Sequence, residues 1–483
     1  MREKALITAA VWAATILGVT GLAPVPVPAA VAAPQPATAR TADFNGDGYG
    51  DLAIGAHTAT VGDVQGAGVV TIAYGSATGL RYDTASIISK ATEGVPGDPE
   101  RNGKFREAGE YGDLDGDGYD DLVVHWLEKN MILWGGSQGI TGAATTLPTG
   151  NYTATDPKLL GGGIGVGDVN GDGIDDFVSR GHDGRSYGVS VLLGPLDRAT
   201  GKPAGVWHRD TPNLDGVNTS TLYVGDMTGD GTADVVVSGD VPSGSGARRG
   251  VVLKGSAAGL VPGSAYEGPY AYLDFSVNEY PAAFGDLNKD GYQDLVTGYP
   301  GQSRIYVAYG GPDGVSRTLE PGFYSQAASG VPGADEAGDK FGSAVAIGDT
   351  DRDGYPDVVI GVSHETGSAT GHTIHAGAIT VLRGSASGLT TKGALSFTQN
   401  AKGIPSTSEN EDHFGVAVAV LDADRSGGPE VYVGGNGEDH YKGRVWKLGT
   451  GAAGVTGTGA TSFHLGTLGG PSGGGNFGHR FAG

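Results

Sequence analysis

The chain has 483 residues, a formal net charge of −23, 90 glycines and no cysteine. Lack of cysteine excludes disulfide staples and thiolate metal sites, and no basic stripe points to nucleic acid. The glycines recur between β-branched runs without a collagen period, so they read as turns, not as disorder.

At the N-terminus, Arg2 and Lys4 precede an apolar run from Ala5 to Ala23, and Ala30-Val31-Ala32 offers a small-x-small cleavage site. Pro24 ends the run and no basic stop-transfer cluster follows. A cleaved signal peptide over residues 1–32 is therefore expected in preference to an uncleaved membrane anchor. A stiff Pro/Ala linker over 33–41 leads into the body of the chain, 42–483. The expectation is a secreted, extracellular monomer with no membrane span after cleavage, or a cell-surface protein if the segment stays.

The pattern Asp-x-[Asp/Asn]-x-Asp-Gly-x-x-Asp, or a close variant, then occurs seven times, and each copy runs into an apolar strand. Calcium takes six to eight oxygens from carboxylates, amides, backbone carbonyls and water. The first copy offers Asp43, Asn45, Asp47 and Asp51, with the carbonyl of Tyr49. The second offers Asp113, Asp115, Asp117, Tyr119 and Asp121, and the third Asp168, Asn170, Asp172, Ile174 and Asp176. The fourth, weakened by a threonine, has Asp226, Thr228, Asp230, Thr232 and Asp234. Asp286, Asn288, Asp290, Tyr292 and Asp294 make the fifth; Asp349, Asp351, Asp353, Tyr355 and Asp357 make the sixth. The seventh, Asp422, Asp424, Ser426 and Glu430, departs furthest and is the site expected to stay empty.

Glycine at the sixth place of every copy suits a sharp turn with positive φ. The closing acid comes at the ninth place and a strand follows, whereas an EF-hand closes at the twelfth between helices. These are β-hairpin calcium loops, up to seven Ca²⁺ in all. Twenty-three acids sit at their odd positions, which accounts for much of the net charge without a basic partner.

The clearest unit runs from Phe341 to Leu389. Phe341–Gly348 alternates like a half-buried strand, Val358–Gly361 and Gly377–Leu382 are apolar strands, and a fourth is expected near Ala394–Thr398. Further third strands are visible at Val69–Tyr74, Met131–Trp134, Val189–Leu193, Val251–Lys254, Arg304–Tyr309 and Arg444–Leu448. An antiparallel unit of this kind cannot bury both faces alone, and radial packing of seven solves that. The ends complement each other. Asp43 has no strand before it, while Phe477–Gly483 is a first strand with no loop after it. The fold class expected is all-β, a seven-bladed β-propeller whose first blade is closed by the C-terminal strand.

Phe341-Gly342, the loop Asp349–Asp357 and Val358-Val359-Ile360-Gly361 resemble the FG-GAP repeat of integrin α-subunit propellers and of many bacterial exported proteins. Phe414-Gly415 and Asp51-Leu52-Ala53-Ile54-Gly55-Ala56 are close behind. Phe105-Arg106, Leu160-Gly161, Asn218 and Asn278 depart from the pattern. The resemblance implies a seven-bladed propeller with calcium loops on one face and partners on the other. An adhesion role does not follow from fold.

Two matches to Gly-x-Ser-x-Gly, at 184–188 and 470–474, lack the strand-then-helix context of a nucleophile elbow. Histidines are better candidates. His57, His182 and His364 begin loops between second and third strands, opposite the acidic loops, and His372, His375, His413 and His440 lie in similar segments. Long loops over 91–104, 362–376 and 399–413 fall into one sector once the ring closes. Candidate ligand-binding residues there are His57, Arg101, His364, His413 and Tyr441. The leading expectation is a calcium-binding binding or adhesion module without catalysis, for an extracellular protein or polysaccharide. The alternative is a carbohydrate-active protein, lectin or polysaccharide lyase, using the same face.

Overall fold

The computed structural model describes residues 40–126, 129–147, 158–182, 187–242, 248–266, 280–366 and 374–483. The expected signal peptide, most of the linker, Gly184–Ser186, Asn278 and His372 lie outside the described residues.

Seven four-stranded antiparallel sheets hold nearly all the strands, with one additional short ladder at Gly310–Gly311 and Gly314–Val315. The protein is an all-β, seven-bladed propeller. Blade 6 shows how the sequence builds one sheet. Its strands Phe341–Gly348, Asp357–Val362, Ala378–Arg383 and Thr390–Phe397 pair in chain order. Asp357–Val362 is buried throughout, as an unbroken apolar run in a packed sheet should be. The fourth strand begins at Thr390, earlier than expected, because the turn is tight. Gly388 N–H donates to Ser385 O at 2.8 Å, and pairing resumes at Arg383↔Thr390.

The Phe-Gly start is a bulge. Phe341 pairs with Val362 and the next registered pair is Val345↔Ile360, so extra residues are looped out. Gly342 stands at φ +88° within it. The bulge of one blade rests on the glycine near the end of the second strand of the blade before. A Cβ on Gly298 would lie 2.1 Å from Gly342 O, one on Gly361 1.9 Å from Gly415 O, and one on Gly434 2.0 Å from Gly478 O. The two glycines of the repeat therefore belong to a single blade-to-blade contact. The phenylalanine ahead of the bulge is fully buried at Phe105, Phe341, Phe414 and Phe477. At Phe105, Phe414 and Phe477 the N–H donates to the loop of the preceding blade, to Ala67 O at 2.9 Å, Ala376 O at 3.0 Å and Lys442 O at 3.1 Å.

The ring closes in the register expected. Phe481–Ala482 joins the sheet of Leu52–Ala56, Val69–Tyr74 and Arg81–Ile88, with Ile54↔Phe481 and Ala53↔Ala482. These pairs correspond to Ile360↔Val345 and Val359↔Ala346 in blade 6. The one short α-helical turn among the described residues is Thr211–Leu214; Glu438–Tyr441 is a left-handed turn with positive φ at Asp439, His440 and Tyr441. No helix there is long and apolar enough to cross a membrane.

Candidate functional site

Antiparallel pairing sends the loops between first and second strands to one face and those between second and third strands to the other. The seven acidic loops share the first face. Each is an Asx-type turn held by its own carboxylates. In the first, Asp43 accepts from Asp47 N–H at 3.1 Å and Gly48 N–H at 2.8 Å, Asn45 accepts from Asp47 N–H at 2.9 Å, and Asp47 from Tyr49 N–H at 2.9 Å. The sixth-place glycines stand at φ +79° to +93°.

The ninth-place acid does more than close the turn. Asp51 is buried and accepts from Phe44 N–H at 2.8 Å and from Gly75 N–H, just past the third strand, at 2.9 Å. Asp121, Asp176, Asp234, Asp294 and Asp357 repeat this staple. Glu430, one methylene longer, reaches Ala423 N–H only at 3.4 Å and pairs with Lys447. Burial pushes the carboxyls of Asp51, Asp121 and Asp294 up to about 8, and those of Asp176 and Asp234 to about 7, against the lowering effect of the backbone donors.

One carboxylate oxygen from each of Asp113, Asp115 and Asp121 lies within 4.8 Å of the others, and the same holds for Asp349, Asp351 and Asp353. These are the two copies richest in acids. Each also meets an arginine that the loop pattern does not reveal. Arg198, from the turn after the third strand of blade 3, pairs with Asp115 and Asp117. Arg383, ending the third strand of blade 6, lies 3.2 Å from Asp351 and 2.9 Å from Asp357. The eighth places link neighbouring loops. Asp120 accepts from Asp43 N–H at 2.8 Å and Asp175 from Asp113 N–H at 2.9 Å, with Arg40 between the two carboxylates.

On the opposite face the candidate residues separate into groups. His364 meets His375 and His413, with ring centroids 4.1 and 5.2 Å away. Glu411 lies 3.2 Å from His375 Nδ1 and 3.1 Å from His413 Nε2. His57 instead packs on His479 at 4.4 Å. Asn436 joins the groups, with Oδ1 3.2 Å from His413 Nδ1 and Nδ2 3.0 Å from His479 Nδ1. A polar ribbon thus runs over blades 6, 7 and 1. Arg101 lies apart on Gln65, and Tyr441 is an exposed ring at φ +63°. His375 shares the loop of His364 and is legible from sequence, whereas Glu411, Asn436 and His479 carry no loop pattern that singles them out as ligands. The one mark His479 carries is its place next to the final Phe-Gly pair.

Burial pushes the His57 and His364 imidazoles down to about 4 and that of His479 to about 3, with nearby positive groups adding to the effect. Glu365 and Asp412, also in this sector, are scaffold. Gln326 donates to Glu365 at 2.7 Å, and Asp412 accepts from Glu409 N–H at 2.6 Å. Burial raises both carboxyls to about 7.

The FG-GAP repeat profile matches residues 36–72 and 341–382, and the FG-GAP-like repeat profile matches 286–360. Human integrin alpha-6 is 32% identical over 179 residues, covering 37% of this chain and 14% of that protein. Rat phosphatidylinositol-glycan-specific phospholipase D is 31% identical over 173 residues, 34% of this chain and 18% of its own. Integrin alpha pat-2 of Caenorhabditis briggsae is 30% identical over 258 residues, 49% of this chain and 19% of its own. The matched segments are thus less than a fifth of each relative. Among solved structures, an Agrocybe aegerita lectin described as recognising non-reducing terminal N-acetylglucosamine overlaps 75% of this chain and 80% of its own at 18% identity. The TM-score of that superposition is 0.42. The acidic loops and the matched profiles agree: this chain is a seven-bladed β-propeller that carries FG-GAP repeats and has integrin α-subunits among its homologues.

Proposed function

We propose that the protein is a secreted, calcium-binding FG-GAP propeller that acts as a non-catalytic binding module, in which calcium in the acidic loops stabilises the ring. The observation that carries the calcium reading is the convergence of three carboxylates in each of loops 2 and 6, with the first and third places common to both. The buried closing acids support it. A carboxyl that burial alone would leave largely protonated near pH 7 stays ionised when a divalent cation lies against it. Oxygen-only donors in a flexible turn suit calcium better than a softer metal. The partner face is the opposite one, where the long loops and the histidine ribbon lie. A binding role also fits the integrin α relatives.

At ten times the dissociation constant each occupied loop adds about 1.4 kcal/mol. Six or seven together add about 8–10 kcal/mol, comparable with the stability of an ordinary domain. The test is thermal unfolding of the calcium-loaded protein with and without EDTA, alongside bound calcium measured by equilibrium dialysis. Several ions per chain and a fall in Tm of roughly 10 °C or more are expected. An unchanged Tm in EDTA, with no calcium retained, overturns the reading.

A further inference from the structure

We propose that His364, His375 and His413 bind a divalent transition ion, zinc by preference, with Glu411 as the accompanying carboxylate. One ring nitrogen from each histidine lies within 4.8 Å of the others, and all three side chains are half-buried and open to entry. They come from both ends of the loop between the second and third strands of blade 6 and from the connector into blade 7. Their backbones are fastened together. Glu411 N–H donates to Ile374 O at 2.9 Å and His413 N–H to His375 O at 3.1 Å. His375, Glu411 and His413 hold φ of +53°, +64° and +54°, a conformation rarely adopted by side-chain-bearing residues.

The hydrogen-bond roles leave a ring nitrogen of His413 available as a ligand. Asn436 Nδ2 donates to His479 Nδ1, so its Oδ1 is left to accept from His413 Nδ1–H. That tautomer places the lone pair on His413 Nε2, which faces Glu411 Oε2 at 3.1 Å. In that tautomer two acceptors face each other, and either a proton on His413 or a metal ion held between them joins the pair. A ligating histidine characteristically donates its other ring N–H to an oxygen, which is the part Asn436 plays. Imidazole with carboxylate is a zinc-type donor set. The oxygen-only loops on the other face select a different ion, so the two sites are chemically independent.

The test uses the full chain held in millimolar calcium, so that the acidic loops are occupied, with zinc added alone and followed by calorimetry. One zinc per chain is expected. Cobalt in its place should give the visible absorption of a nitrogen-ligated ion. His375→Ala and His413→Ala should each weaken zinc binding about tenfold or more, and Asn436→Ala about 10–100-fold. His440→Ala, outside the cluster, should leave it unchanged. Circular dichroism establishes that each variant folds, and the cobalt spectrum of the wild type stands whether or not they do. No stoichiometric zinc binding in the wild type, or binding that survives His375→Ala combined with His413→Ala, overturns the proposal. Neither result touches the calcium reading, which is measured in zinc-free buffer.

Discussion

His479 illustrates how much one buried ring contributes to the character of a face. It lies under His57, takes a hydrogen bond from Asn436, and has its pKa driven down to about 3 by burial and by His57, Arg106, Arg480 and Lys104. The folded-state value is below the unfolded value of about 6.5. Between those limits the unfolded chain binds more protons, so this contribution to stability is present above pH 6.5 and is lost as pH falls. Glu365 and Asp412 act in the opposite sense, because their raised carboxyls bind protons first in the folded state. The whole-protein pH profile is therefore a difference, and the histidine is read by comparison. The Tm gap between wild type and His479→Gln should narrow from pH 7.5 to pH 5, measured in millimolar calcium. A constant gap would contradict the assignment.

At the scale of the strand, the repeat's signature residues share one task. The first strand bulges at Phe-Gly, the phenylalanine fills the core, and the buried carbonyl of the glycine lies against a Cβ-less position one blade back. Phe414 is the clearest case. It is fully buried, meets Trp446 edge-on at 5.1 Å, and donates its N–H to Ala376. Phe414→Ala should cost about 3–5 kcal/mol through the cavity and lost contacts, with urea unfolding as the measurement. A cost under about 1 kcal/mol would mean that the bulge, not the ring, holds the blades together. Strand positions were largely legible because apolar runs and their glycine boundaries encode them directly. Alternation marks Phe341–Gly348 at its observed limits, whereas the fourth strand begins at Thr390, ahead of its apolar signal near Ala394, because a tight serine turn leaves little trace in hydropathy.

For the molecule as a whole, closure is the controlling feature. Without Phe481–Ala482, the strand Leu52–Ala56 would present an unpaired apolar edge, the arrangement that invites pairing between chains. A chain ending before Phe477 is expected to associate or precipitate where the full chain stays monodisperse, as judged by light scattering. A monodisperse truncated chain would show that closure is dispensable.

Sequence alone determined the period, the blade number, the register of closure and the seven acidic turns. Each of these is a local pattern repeated along the chain, so spacing carries it. The tertiary structure alone decided which distant groups meet. Arg198 and Arg383 come to acidic loops 2 and 6, and Arg40 comes between Asp120 and Asp175. His375, His413 and Glu411 converge across a blade boundary, while His57 pairs with His479 instead. Such contacts depend on side chains from different blades arriving at one point, and no periodicity in one strand specifies that.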